Sequence, residues 1–215
     1  MSNYLPISKR DIVTPFNISA EESASLVTTT NNKTSYARRG GFCYSLTMGI
    51  RPYNLLVDSQ NHKYWDIVTF LNSNPVMYIP IFNMVESQVF TQGAVVTTTS
   101  NAAVGATGFT INFDANTTKF RPGEFIKIGS KDKIYQVRSH VSNSLTLSQP
   151  LSHNVSNGDR IYYSEQLSLA GHPLDGVRFH GVFGKFINED FGNPVNRIED
   201  GIIGNIGPLK LKEKL

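Results

Sequence analysis

The sequence predicts a mainly β protein in which a small β module is set inside a second β domain that carries one helix. Three observations lead there. Between Gly105 and Tyr163, short runs of alternating apolar residues are separated by turn residues. One stretch only, Gln60 to Asn72, has apolar residues at helical spacing. Strand patterns occur both before and after the module, so the outer domain is split in sequence.

Within the module, Phe109, Ile111 and Phe113 fall on one face of a strand, Ile126 and Ile128 on the next, and Tyr135 with Val137 on a third. Leu145 with Leu147 and Ile161 with Tyr163 repeat the pattern. Short polar residues and glycine at 114–116, 129–132 and 142–143 let the chain reverse between them. An isolated hairpin is marginal in water, but five strands can close on a common apolar interior, which favours a small barrel of the oligonucleotide/oligosaccharide-binding (OB) kind. Two of the strands open alike, with Pro122-Gly123-Glu124 and Asn157-Gly158-Asp159, and this reads as shared turn chemistry.

Residues 1–38 hold one short apolar run, Ile12-Val13 with Phe16, and then a polar stretch with too few large apolar groups to bury a face. The 20–38 part is expected to be a long loop that becomes ordered against a neighbouring subunit. From Gly40 to Ile50, Phe42, Tyr44, Leu46 and Met48 alternate with smaller residues as one strand. The helix follows, with Asp58 or Ser59 as its cap, a stripe of Tyr64, Trp65, Val68 and Leu71, and Trp65 as an anchor on the sheet. Val76 to Phe82 is apolar at nearly every position and suits a strand covered on both faces, although Pro80 removes one ladder donor. Residues 88–108 read as the route into the module. After it, Val177 and Phe179 alternate with Arg178 and His180, and Leu209 and Leu211 with Lys210 and Lys212. The last segment is expected to be an edge strand whose lysines discourage stray pairing.

The chain has 215 residues, 40% hydrophobic and 17% charged, with a formal net charge of +3, which indicates a globular protein rather than a disordered one. Neither the module nor its flanks is polybasic, which speaks against nucleic-acid binding as the main task. Cys43 is the only cysteine, so an intramolecular disulfide or a thiolate zinc site is excluded, and Phe42 and Tyr44 beside it suggest an inert thiol. The N-terminal residues lack the apolar run of a signal peptide, and no window approaches a membrane span; an unexported protein outside the membrane is expected.

Catalytic chemistry is hard to find, and neither an enzyme nor a cofactor is expected. His172, Asp175 and His180 are the least poor metal set, and Glu189-Asp190 and Glu199-Asp200 could supply two carboxylates, but acids beside glycines read first as solvated turns. A binding surface is more plausible: Tyr135, Tyr162 and Tyr163 with Lys127, Lys131, Lys133 and Arg138 make an aromatic and basic set suited to sugar rings or single-stranded nucleic acid. The competing reading places one of the adjacent tyrosines in the core and the lysines on a solvated face. A carbohydrate- or nucleic-acid-binding module acting through the inserted barrel is thus one candidate function.

The layout as a whole resembles the distal tail proteins of long-tailed bacteriophages, especially those with an OB-like insert. The matching parts are KYWDIVTFLNSNPVMYIPIF, GFTINFDANTTKFRPGEFIKIGSKDKIYQV with NGDRIYY, FINEDFGNPVNRIEDG and the terminal LKLKEKL, so the likeness spans nearly all of the chain after the first 35 residues. The resemblance implies a tail-tube-like β-sandwich with one flanking helix, formed by residues 1–89 and 166–215, from which the barrel of residues 90–165 projects. It implies a hexameric ring in the virion, assembled in the host cytoplasm, that joins the tail tube to baseplate hub and fibre proteins around the channel through which DNA passes as cargo. It carries no catalytic residues over. In such a ring the 20–38 loop and the glycine-rich 181–207 region are the candidates for completion by a neighbouring subunit.

Overall fold

The structure, a computed structural model, describes residues 3–28, 34–82, 95–116, 119–163, 165–166, 178–179, 181–190 and 196–214. Strands make up 49% of the chain, so the protein is mainly β; among the described residues its sheets are antiparallel and none is closed. The strands in order are β1 (Ile12–Thr28), β2 (Thr34–Ile50) and β3 (Tyr53–Asn54), then the helix α1 (Asp58–Ser73) and β4 (Val76–Phe82). Next come β5 (Val96–Thr97), β6 (Gly108–Thr110), β7 (Phe125–Ile128), β8 (Ile134–Val141), β9 (Ser144–Leu147) and β10 (Arg160–Tyr162). The chain continues through β11 (Glu165–Gln166), β12 (Arg178–Phe179), β13 (Gly181–Asn188), β14 (Asn196–Glu199), β15 (Ile203–Ile206) and β16 (Leu209–Glu213).

Strands from both ends of the chain share one five-stranded sheet in the order β1-β2-β16-β13-β4. Its buried face carries Leu46 and Met48 of β2, Leu209 and Leu211 of β16, Phe186 of β13, and Met77, Ile79 and Ile81 of β4. Helix α1 packs into the same cluster with Tyr64, Ile67, Val68 and Leu71, as do Tyr53 of β3 and Ile206 of β15, members of the three-stranded sheet β14-β15-β3. The buried carboxylate of Asp11 ties this layer together, meeting Lys63 of the helix at 2.5 Å, Arg51 at 3.2 Å and the Ser8 amide at 2.8 Å. A second core, with Ile126, Ile128, Tyr135, Val137, Leu145, Leu147 and Ile161, lies inside the six-stranded sheet β5-β10-β7-β8-β9-β6. A single bridge, Thr98 to Ile111, links the ends of that sheet.

Several expectations need correction. Of the expected 20–38 loop, the described residues, 20–28 and 34–38, are strand: Ala20↔Tyr44 to Glu22↔Phe42 and Ala24↔Arg38 to Thr28↔Thr34 continue the β1–β2 ladder around one bulge. Pairing with β16 covers only Ser45 to Met48 of β2, so the outer part of this hairpin is a two-stranded ribbon. A ribbon satisfies its backbone groups across its own ladder and needs no buried apolar face, which is why the missing apolar pattern misled. The terminal segment is no edge strand; β16 is hydrogen-bonded on both sides, by β2 and β13. Lys210 and Lys212 alternate with the leucines because one sheet face is open, not one edge. Within 181–207, β13 is likewise an inner strand.

The helix begins two residues early, at Asp58, with Val57 at its cap position and no side-chain cap. Trp65 is 47% exposed and is not the sheet anchor; Ile67 takes the place assigned to it in the buried stripe. Adjacent helical residues diverge by about 100°, so Tyr64 and Trp65 cannot both face the sheet. β4 has one ladder neighbour, and its other side meets the N-terminal segment through the Tyr78 amide and the Asn3 carbonyl, 2.6 Å apart. Pro80 therefore sits where a missing donor is tolerated. In the module, β6 is shorter than the alternation of Phe109, Ile111 and Phe113 suggested, and β5 adds a sixth strand from the expected entry route. Among the described residues, no helix is long and apolar enough to cross a membrane.

Candidate functional site

The β7–β8 hairpin organises the polar chemistry of the protein because its two faces go to different places. Pairing of Ile126 with Tyr135 turns those residues into the module core, and the flanking pairs Phe125↔Gln136 and Lys127↔Ile134 point the other way. That outward face meets the five-stranded sheet. Phe125 and Ile134 belong to the first core and not to the module's own. The Phe125 ring stands edge-on to Tyr44, centroids 5.9 Å apart. Ile134 reaches Gly184 on β13, where a Cβ would collide with its Cδ1 and with the Phe186 ring.

One carboxylate joins the two bodies. Glu213 of β16 accepts the Tyr44 amide on Oε2 at 3.0 Å and the Ile134 amide on Oε1 at 3.0 Å. It also takes the Lys133 ammonium on Oε2. Lys133 donates to the Phe42 carbonyl as well, at 2.5 Å, and lies 5.2 Å from the centre of the Tyr44 ring. Both charged side chains are buried. Burial, together with the negative charge of Glu213, pushes the Tyr44 hydroxyl well above its usual range. A second, more exposed set surrounds Asp132, with Lys127 at 3.2 Å, Lys185 at 3.7 Å and the Tyr78 hydroxyl at 3.4 Å.

The expected binding set is dispersed. Tyr135 is 0% exposed, and its hydroxyl meets Ser152 Oγ at 2.9 Å and His153 Nδ1 at 3.1 Å inside the module. Lys133 is buried in the junction, and Lys127 is paired with Asp132 beside it. Tyr162 is half-buried opposite Lys127 in the β7–β10 ladder, with the Arg160 guanidinium 5.1 Å from its ring centre. Tyr163 packs edge-on against Phe120 at 5.5 Å, and burial raises its hydroxyl pKa. Arg138 and Lys131 are exposed elsewhere. Of the five residues Tyr135, Tyr162, Tyr163, Lys127 and Arg138, only Lys127 and Tyr162 are direct cross-strand neighbours.

The two turns that looked alike in sequence share their geometry. Gly123 and Gly158 have φ of 94° and 90°, a region open to glycine. In each turn the following acid accepts the amide three residues back: Glu124 from Arg121 at 3.0 Å, Asp159 from Ser156 at 2.8 Å. Glu124 differs in being buried, with Oε1 unpaired, and burial raises its pKa to about 7. His140 is also structural: its Nδ1 accepts the Phe120 amide at 3.2 Å, which leaves Nε2 to donate to the Phe113 carbonyl at 3.3 Å. Burial lowers its pKa.

Among the described residues, no group of three or more His, Cys, Asp and Glu has the arrangement of a metal site. His172, Asp175 and His180 lie outside the described residues. Asp200 and Gly201 have φ of 51° and 69° and form the β14–β15 reversal, where Glu199 accepts the Asn205 side chain at 2.8 Å. Asp190 likewise follows β13 in a turn closed by Asn188. Sequence reasoning missed Asp11, Asp132 and above all Glu213. A signal for Glu213 was present: in Leu209-Lys-Leu-Lys-Glu213 the acid falls on the leucine phase, where an unpaired charge would be costly. A scan against known protein families finds no model that matches the chain, and no curated protein is significantly similar to it.

Proposed function

We propose that this protein is a virion structural component that forms a hexameric ring at the distal end of a long bacteriophage tail, between the tail tube and the baseplate hub and fibre proteins. The observation that carries the reading is the split sheet: β1, β2 and β4 from before the module and β13 and β16 from after it form one layer, on which a second core is seated. In this reading the five-stranded and three-stranded sheets with α1 are a tail-tube-like sandwich. The six-stranded sheet, its ends linked by the Thr98–Ile111 bridge, is an OB-like barrel. Such a protein acts through shape and contact area. A ring subunit offers strand edges for its neighbours to complete, and the outer edge of the 17-residue β1 has no partner among the described residues. DNA would pass through the ring as cargo.

Mass measurement of the purified protein and imaging of labelled particles test this. The expected results are a species of six chains and a label at the tail tip. A protein that stays monomeric at all concentrations and never enters particles would overturn the reading.

A further inference from the structure

We propose that Glu213 is a latch that seats the inserted module on the five-stranded sheet, and that its loss releases the module as a unit while both cores stay folded. Three donors from two bodies converge on this one carboxylate: the Tyr44 amide from the sheet, and the Ile134 amide and Lys133 ammonium from the module. Both of its oxygens are occupied, and it is buried. Without its charge the Lys133 ammonium loses its counter-ion and keeps only the Phe42 carbonyl and the Tyr44 ring face, and the Tyr44 and Ile134 amides lose their charged acceptor. Lys133 regains water only if the hairpin lifts away from the sheet. Of the remaining polar contacts, those around Asp132 are more exposed and hold weakly. The module's own apolar cluster includes neither Phe125 nor Ile134, so lifting uncovers those two side chains without opening the second core, and the first core gives up these two contacts while keeping its other members. The latch concerns how the module sits and stands whether or not the protein forms a ring.

Amide hydrogen exchange on the full chain tests it, in wild type, Glu213→Gln and Lys133→Met. In Glu213→Gln the Tyr44 and Ile134 amides should exchange on the order of a hundredfold faster, the loss expected when a buried ion pair is broken. The Val137 and Leu147 amides, bonded inside the module to Glu124 and Thr107, should keep their rates. Lys133→Met should give the same pattern with a smaller factor, because the two amide bonds remain. Asp132→Asn should leave the Tyr44 and Ile134 rates within about threefold of wild type. Unchanged junction amides in both latch variants, or equal acceleration in both cores, would overturn the proposal. If Glu213→Gln does not fold, Lys133→Met decides by the same criteria. Failure of both to fold also overturns it, since the latch requires the two cores to survive.

Discussion

Glu124 and Asp11 are both buried acids, yet their surroundings push them in opposite directions. Burial raises Glu124 from 4.5 to about 7, so the folded chain holds a proton there that the unfolded chain releases. Stability from this group is fully present below about pH 4.5 and is lost as pH rises through 7, by on the order of 3 kcal/mol. Glu124→Gln should remove that slope in urea titrations between pH 5 and 8, while keeping an acceptor for the Arg121 amide. At Asp11 burial also opposes ionisation, but the Lys63 ammonium and the Ser8 hydrogen bonds outweigh it and hold the carboxyl below its usual value. Its contribution is present above the ordinary carboxylate pKa and is lost as pH falls through the depressed one. Asp11→Asn should therefore flatten the acid limb of the same titration. Gly184 is a third single-residue constraint: Gly184→Ala should cost about 1–3 kcal/mol, seen as a lower denaturation midpoint, because Ile134 and Phe186 occupy the Cβ position. The paired glycine turns were legible in the sequence. The burial of only one of their two acids was not, because it depends on what packs above the turn.

At the level of elements, alternation reports how many faces are covered and says little about how many neighbours a strand has. β16 shows this: its leucine–lysine pattern is that of any strand with one open face, and it lies between β2 and β13. β2 was only half legible, because its apolar inner part pairs with β16 inside the sheet and its outer part pairs with β1 alone among the described residues. For α1 the stripe was right at Tyr64, Val68 and Leu71 and wrong only at Trp65, in whose place Ile67 is buried. Leu71→Ala should destabilise by about 2–5 kcal/mol, since that side chain is fully enclosed. Trp65→Ala should cost under about 1 kcal/mol despite the larger deletion, a contrast that thermal unfolding of the two variants would measure.

At the scale of the molecule, two apolar cores meet across one junction. Phe125 and Ile134 grow from the module and bury in the other core, so the insert helps to complete the layer it interrupts. Ile134→Ala should therefore lower the stability of the whole chain by about 2–5 kcal/mol, seen in the main sheet as well as in the module by residue-resolved exchange. A loss confined to the module would contradict the shared packing. The same junction takes Lys133 and Lys127 out of the candidate binding set, because the face of β7 and β8 that sequence alone leaves open to a ligand is partly occupied by the sheet, while Tyr135 is held in the module core.

Taken by itself, the sequence determined that the protein is mainly β with one long helix, and where the module's turns fall. Those features follow from local periods of two and 3.6 residues and from glycine and short polar side chains, all of which act within a few residues. Only the tertiary structure decided which strands are neighbours, that Lys133 is inside, and that Glu213 serves three donors. Those outcomes depend on segments as far apart as Tyr44 and Glu213, 169 residues along the chain, coming together to exclude water. No local pattern records which distant partner will satisfy a buried charge.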